Sequence, residues 1–220
     1  MRIELDFISV LAEWPMLMKG VAWTVGLTAV STVLGLALGI GLAWSRVHGP
    51  LPLRAVAGSY VEAIRNTPFI VQLFFVYFGL PALGIRLSPE LASIIAMVIN
   101  LSAYATEIIR AGIEATPRGQ IEAAMSLALK PGQIFTHVVL APALQKVWPA
   151  LVSQIIIVML GSAVCGQIST EELSHAANLI QSRNFRAFEA FIIATLTYLM
   201  LAMALRRLLN WLGTRFLFGR

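Results

Sequence analysis

Charge is what this sequence has least of. Asp, Glu, Lys and Arg make up 12% of its 220 residues, about half the share of a soluble domain. Mean hydropathy is +0.81, so a membrane is the medium to read the chain against. Cysteine is nearly absent. The lone Cys165 excludes an intrachain disulfide, and its apolar surroundings read as a small buried thiol. His48, His137 and His175 stand apart from any carboxylate or thiolate cluster, which excludes a metal site of ordinary spacing. No Gly-x4-Gly-Lys-Ser/Thr occurs, so the chain is not expected to bind ATP. No serine has a histidine and an acid placed beside it by spacing, so no catalytic group is assigned. The net charge of +5 is dispersed among apolar blocks. That pattern marks the flanks of membrane spans, not a nucleic-acid surface.

What is present is a series of apolar blocks, enough for about five or six spans. We expect an all-α membrane protein of one domain, 1–220, with five spans at about 20–45, 55–80, 91–112, 147–170 and 190–209. Residues 1–19 carry Arg2, Glu4, Asp6, Glu13 and Lys19. This charge mix, without a cleavage site, argues against a signal peptide. Phe7, Val10, Leu11, Trp14 and Leu17 suggest an interfacial amphipathic segment. In the first span Ser31, Gly35, Gly39 and Ala43 recur every four residues, a stripe that lets another helix approach closely. Pro68 is expected to kink the second span. Arg46, His48 and Arg54 make the first connection basic. Arg206, Arg207, Arg215 and Arg220 do the same for the tail. Arg86 and Glu90 cancel in the second connection. The basic segments belong inside, so the N-terminus is expected outside and the C-terminus in the cytoplasm.

The connection over 113–146 is too polar for lipid and too well patterned for a random loop. Thr116 and Pro117 read as the N-cap and first turn of a helix. Ile121, Met125, Ala128 and Leu129 then share one apolar face, expected against the bundle. Glu122, Ala123, Ser126 and Lys130 point elsewhere. Pro131-Gly132 is expected to stop this helix before a second short amphipathic run, Gln133 to Leu140. An ordinary interfacial helix would share these features.

The triplet Glu122-Ala123-Ala124, with Leu127 and a proline about twenty residues on, resembles the "EAA" loop of ABC importer permeases. Tyr104-Ala105-Thr106-Glu107-Ile108-Ile109-Arg110 precedes it, followed by Pro117-Arg118-Gly119-Gln120. Arg65-Asn66-Thr67-Pro68 with Val71-Gln72-Leu73 lies upstream. Glu171-Glu172-Leu173 and Phe185-Arg186-Ala187-Phe188-Glu189 lie downstream. Together they resemble the polar amino acid permeases, the group that imports histidine, arginine, glutamate and glutamine, over nearly the whole chain.

The resemblance implies a permease subunit of the bacterial inner membrane, not an enzyme. A separate ATP-binding subunit would use ATP and Mg, and this chain would bind no cofactor. A second permease chain, identical or paralogous, would enclose the path. A periplasmic or lipid-anchored binding protein would deliver the solute. Besides these partners the chain meets membrane lipid and no nucleic acid. Coupling to the ATPase would fall to Gly119, Glu122, Ala123, Ala124, Ser126, Leu127, Ala128 and Lys130. Polar residues within spans are costly and face a cavity or a protein neighbour. That makes Asn66, Thr67, Gln72, Asn100, Tyr104, Glu107, Gln154, Ser162 and Gln167 the candidates for the path. Each could instead bond between helices, and Glu107 could pair with Arg110 or Arg65. A permease for an opine or another amino acid derivative, a channel and a structural subunit are the alternatives.

Some residues depart from the family pattern. Ala128 stands where the family has glycine, and Leu140-Ala141-Pro142 delays the proline by one residue. Asn66 replaces the glycine of Arg-Gly-Thr-Pro. Leu160-Gly161 replaces Lys-Asp ahead of Ser162, removing charges that would help to identify the solute.

Overall fold

The computed structural model describes residues 5–217, and no strand occurs among them. Helix α1 (Phe7–Leu11) is capped by Asp6, whose carboxylate accepts from the Ile8 and Ser9 amides at 3.1 Å. The Ser9 amide above all holds that carboxyl below its ordinary value. The first long helix, α2 (Trp14–His48), already starts at Trp14. The separate interfacial segment is therefore shorter than expected, and its Arg2 and Glu4 lie outside the described residues, as does Arg220.

Four helical stretches are long and apolar enough to cross a membrane: Trp14–His48, Pro89–Glu114, Pro131–Ile168 and Ala187–Phe216. A bent pair of helices brings the number to five when it is counted as one span. Helix α3 (Leu51–Arg65) and the stretch Phe69–Leu83 meet at 109°. The expected kink at Pro68 is thus a full break. Proline removes an amide donor and disfavours helical backbone at Thr67 before it. The stretch after the break opens with α4 (Phe69–Phe74), then widens to a π-turn over Phe75–Gly79 and tightens to a 3-10 turn over Leu80–Leu83.

Helix α5 (Pro89–Glu114) begins at Ser88, whose hydroxyl accepts from the Leu91 amide at 3.3 Å. Its buried face lies along the small-residue stripe of α2. A Cβ on Gly35 would come 3.0 Å from Leu101, and one on Gly39 2.9 Å from Ala105. These pairs advance together along the chain, so α2 and α5 run in the same direction. Helix α8 (Ala141–Gly161) runs the opposite way, with Val147 near Gly112 and Val158 near Met97 and Leu101. Helix α10 (Ala187–Leu212) runs with α2, and its last residues lead into a π-turn, Gly213–Leu217. Trp148 Nε1 ties α8 to it by donating to Leu209 O at 3.2 Å.

The connection over 113–146 is less of a loop than expected. It holds α6 (Arg118–Ser126), a short α7 (Pro131–Gln133) and a π-helical stretch, Ile134–Leu140, that runs into α8. Pro142 cannot donate to the carbonyl four residues back, and the wider turn ends just before it. Residues 131–168 therefore form one long stretch, and the expected start at 147 lies inside it. Its outer end tightens to a 3-10 turn, Ser162–Ile168, before α9 (Leu173–Asn184). Helix α9 sits hard against the start of α2. A Cβ on Gly20 would come 2.8 Å from the Leu173 backbone.

Candidate functional site

The break between α3 and α4 frees backbone carbonyls that side chains then satisfy. Gln72, buried on α4, directs Nε2 at Ile64 O (2.7 Å), Thr67 O (3.0 Å) and Thr67 Oγ1 (2.9 Å). The Thr67 hydroxyl itself donates back to Ala63 O at 2.9 Å, and Asn66 Nδ2 to Glu62 O at 2.8 Å. Gln72 Oε1 accepts from Asn100 Nδ2 at 3.0 Å. Tyr104 Oη donates to Arg65 O at 3.5 Å, and the Arg65 guanidinium lies 5.5 Å from the Tyr104 ring centroid. The polar stripe Asn100, Tyr104 and Glu107 on α5 therefore faces the break.

Glu107 is held by more cations than the sequence reading gave it. Arg110 chelates both carboxylate oxygens, at 3.2 and 3.0 Å, and Arg65 approaches to 3.7 Å. Arg46, from the end of α2, also bonds it. By sequence alone Arg46 is a flank charge of the first connection. Its place one turn before the helix end was the available signal. Arg110 also reaches Glu114 at 2.6 Å. Three arginines against two carboxylates leave this end of the stripe positive.

Beside Asn100 lies a small cavity of about 80 Å³, walled by Phe69, Met97, Ile157, Val158 and Gly161. Gly161 meets nothing where a Cβ would stand. Gln154, buried on α8, shares a side of that helix with Ile157 and Gly161 by spacing. Ser162 is spent on its own turn, donating to Met159 O at 2.6 Å. Gln167 is exposed, and no hydrogen bond of the cluster reaches Gln154, Ser162 or Gln167. The structure thus joins Thr67, Gln72, Asn100, Tyr104 and Glu107. Asn66 serves its own helix end.

The second region is α6. Pro117, not Thr116, is its N-cap, and no side chain caps it. The helix ends at Ser126, ahead of Pro131. Ala128 adopts φ +56 and donates to Met125 O at 2.9 Å, while Leu129 donates to Ala124 O at 3.2 Å. These two bonds form a Schellman turn, with Ala128 where glycine is usual. Ala124 is buried with Ile121 and Leu129 packed beside it. Met125, expected inward, is 62% exposed, and Leu127 is 77% exposed. Within α6 the inward face runs through Ile121 and Ala124, three residues apart, which leaves Met125 on the outer side. Gly119, Glu122, Ala123, Ser126, Ala128 and Lys130 are exposed, but Ala124 cannot touch a partner.

A third polar cluster had no counterpart in the sequence reading. Glu172 is fully buried and caps α9, accepting from the Ser174 and His175 amides at 2.8 and 2.7 Å. Tyr198 Oη of α10 donates to the same carboxylate at 2.5 Å. Burial pushes the Glu172 carboxyl up despite these donors. Thr24 Oγ1 of α2 accepts from the Leu173 amide at 3.2 Å, and Ser93 and Thr170 share a 2.8 Å bond. The signal was a carboxylate directly ahead of an apolar-periodic helix. This cluster ties α2, α5, α9 and α10 together and is structural.

Residues 35–217 match the family of binding-protein-dependent transport system inner membrane components. The chain belongs to that family. An arginine transport system permease protein of Bacillus subtilis is 34% identical over 204 residues, covering 92% of this chain and 93% of the relative. A probable glutamine ABC transporter permease protein of the same organism is 35% identical and covers 86% of this chain and 89% of itself. A chain in a crystal structure of an amino acid ABC transporter with histidines superposes with a TM-score of 0.87 at 34% identity, over 97% of this chain and 100% of that one. A methionine ABC transporter chain in an inward-facing conformation, at 22% identity and TM-score 0.72, shares the fold. The family is one of permeases, so this chain is a multi-pass transport subunit of an ABC importer and not an enzyme.

Proposed function

We propose that this chain is one of two permease subunits of an inner-membrane importer for polar amino acids. The observation that carries the reading is the row Thr67, Gln72, Asn100 and Tyr104 at a broken helix, open on one side of a single chain. Polar groups on spanning helices need a protein neighbour or a wet cavity. A second permease chain facing the row encloses it as a path. The relatives named for arginine and glutamine and the transporter crystallised with histidines support an amino acid as the solute.

In this reading α6 is the coupling helix. Glu122, Ala123, Met125, Ser126 and Leu127 meet a separate ATP-binding subunit, which uses ATP and Mg. The α6 end of the bundle is then cytoplasmic, together with the Arg46–Arg54 connection and the end of α10. The start of α2 and α9 face outward, where a binding protein delivers the solute. Closure of the ATP-binding subunits moves the coupling helices as rigid bodies and switches access.

The test is substrate-stimulated ATP hydrolysis by the reconstituted assembly. Ala123→Trp with Glu122→Lys should insert normally and lose stimulation. Overfilling a docking groove costs about 1–3 kcal/mol, roughly tenfold or more in affinity. Stimulation at the wild-type level would reduce α6 to an ordinary interfacial helix and overturn the reading.

A further inference from the structure

A large apolar hollow lies away from the polar row. It is a groove of about 530 Å³ between α2, α8 and α10. Ala29 and Thr32 form one wall, Ile155 and Met159 the floor, Ala204 and Leu208 the other wall. On α8, Ile155 and Met159 point opposite to Ile157 and Gly161, which border the cavity at Asn100. A second permease chain enclosing the row would therefore sit on the other side of α8. All three helices of the groove are long and apolar enough to span a membrane, so the groove opens toward hydrocarbon.

Its α6 end is basic. Leu208 and Leu212 line the groove, and Arg215 follows three residues on, in the π-turn that continues α10 past the groove's end. Arg206 and Arg207 flank it. All three arginines are exposed, and no carboxylate among the described residues pairs with them. Unpaired arginines at the end of an apolar groove match one kind of molecule, with an apolar tail and an anionic head. Basic pockets between spanning helices on the cytoplasmic side suit such headgroups.

We propose that this groove is a specific site for an anionic phospholipid. One acyl chain lies between α2, α8 and α10, and Arg215 holds the phosphate. The site goes beyond the transport reading and does not depend on which solute moves.

The test is native mass spectrometry of the full chain, purified with its assembly partners. The assembly is exchanged into micelles with equal phosphatidylglycerol and phosphatidylcholine. The wild type should retain a single phosphatidylglycerol per chain in preference to phosphatidylcholine. Arg215→Gln should cut that preference about fivefold, the worth of one basic residue near an anionic surface. Ala204→Phe, and independently Ala29→Leu from the other wall, should fill the groove and abolish retention of either lipid. Leu199→Phe, on the exposed side of α10 outside the groove, should retain lipid as the wild type does. Equal retention of the two lipids by the wild type, or undiminished retention in both groove-filling variants, would overturn the site. So would release of a second copy of this chain, in place of lipid, by Ala204→Phe, because the groove would then be a chain–chain interface.

Discussion

Asn100 on α5 donates to Gln72 on α4 at 3.0 Å, while the Gln72 amide nitrogen closes on the carbonyls of Ile64 and Thr67. One side chain thus stitches the broken helix and fixes the polar row.

Gln72→Leu removes this link at nearly constant volume. Ile64 O keeps bonds from the Asn66 and Thr67 amides and Thr67 is exposed, so the loss is the net worth of hydrogen bonds, about 0.5–1.5 kcal/mol each. The variant should melt at clearly lower temperature in detergent, read by loss of a monodisperse gel-filtration peak on heating. Asn100→Leu should be milder for stability, because leucine fills the 80 Å³ cavity. It should nevertheless impair uptake into reconstituted vesicles. Unchanged uptake would make the Asn100–Gln72 pair a packing bond only.

The row was legible in the sequence because polar residues stand out in apolar helices and α5 is regular. The stripe Ser31, Gly35, Gly39 and Ala43 was legible for the same reason, and α5 lies on it. What could not be read was set by breaks in regularity. Thr67-Pro68 gave a bend of 109° instead of a kink. The inward face of α6 passes through Ala124 and not Met125, which the apolar pattern alone did not separate. Arg46 and Glu172 depend on partners 61 and 26 residues away, Glu107 and Tyr198, and no local spacing reveals such pairs.

Ala128 makes a second test. An L-residue with a Cβ in the left-handed region costs about 1–2 kcal/mol relative to the right-handed one, and glycine avoids most of this. Glycine also loses more freedom on folding, which offsets part of the gain. Ala128→Gly should stabilise the chain by about 1 kcal/mol or less, seen as slower proteolysis at the α6–α7 turn. A destabilised variant would mean that the Ala128 methyl makes a contact outweighing its strain.

Glu172 carries a pH dependence with a definite sign. Burial raises its carboxyl above the ordinary 4.5 in the folded chain. The folded state therefore binds this proton more tightly than the unfolded one. The stabilisation is full below pH 4.5 and is lost as pH rises through the folded value. Thermal stability measured upward from pH 4.5 should contain this falling component. Glu172→Gln, which cannot titrate, should flatten it relative to the wild type. Parallel slopes for the two proteins would assign the titration to other groups.

The last prediction separates the two faces of α6. Ala124 is 4% exposed and packs against the bundle beside Ile121 and Leu129. Met125 and Leu127 stand out from it, large apolar side chains at the end of the bundle that also carries the basic connections. Ala124→Leu forces extra methylenes into a packed site and should cost about 1–3 kcal/mol of stability. Met125→Ser with Leu127→Ser changes exposed positions, where substitutions stay within about 0.5 kcal/mol. The isolated permease should melt normally in that double variant. If α6 is the coupling helix, as proposed, the two residues are buried anchors against the ATP-binding subunit, and truncating such anchors costs about 2 kcal/mol or more. Retention of the ATP-binding subunit through affinity purification should then fall by roughly tenfold or more. The contrast is the measurement: Ala124→Leu should lower the melting temperature of the permease alone, and the serine pair should lower only the assembly. A serine pair that unfolds the permease would place Met125 and Leu127 in its core, contrary to their exposure on the outer side of α6.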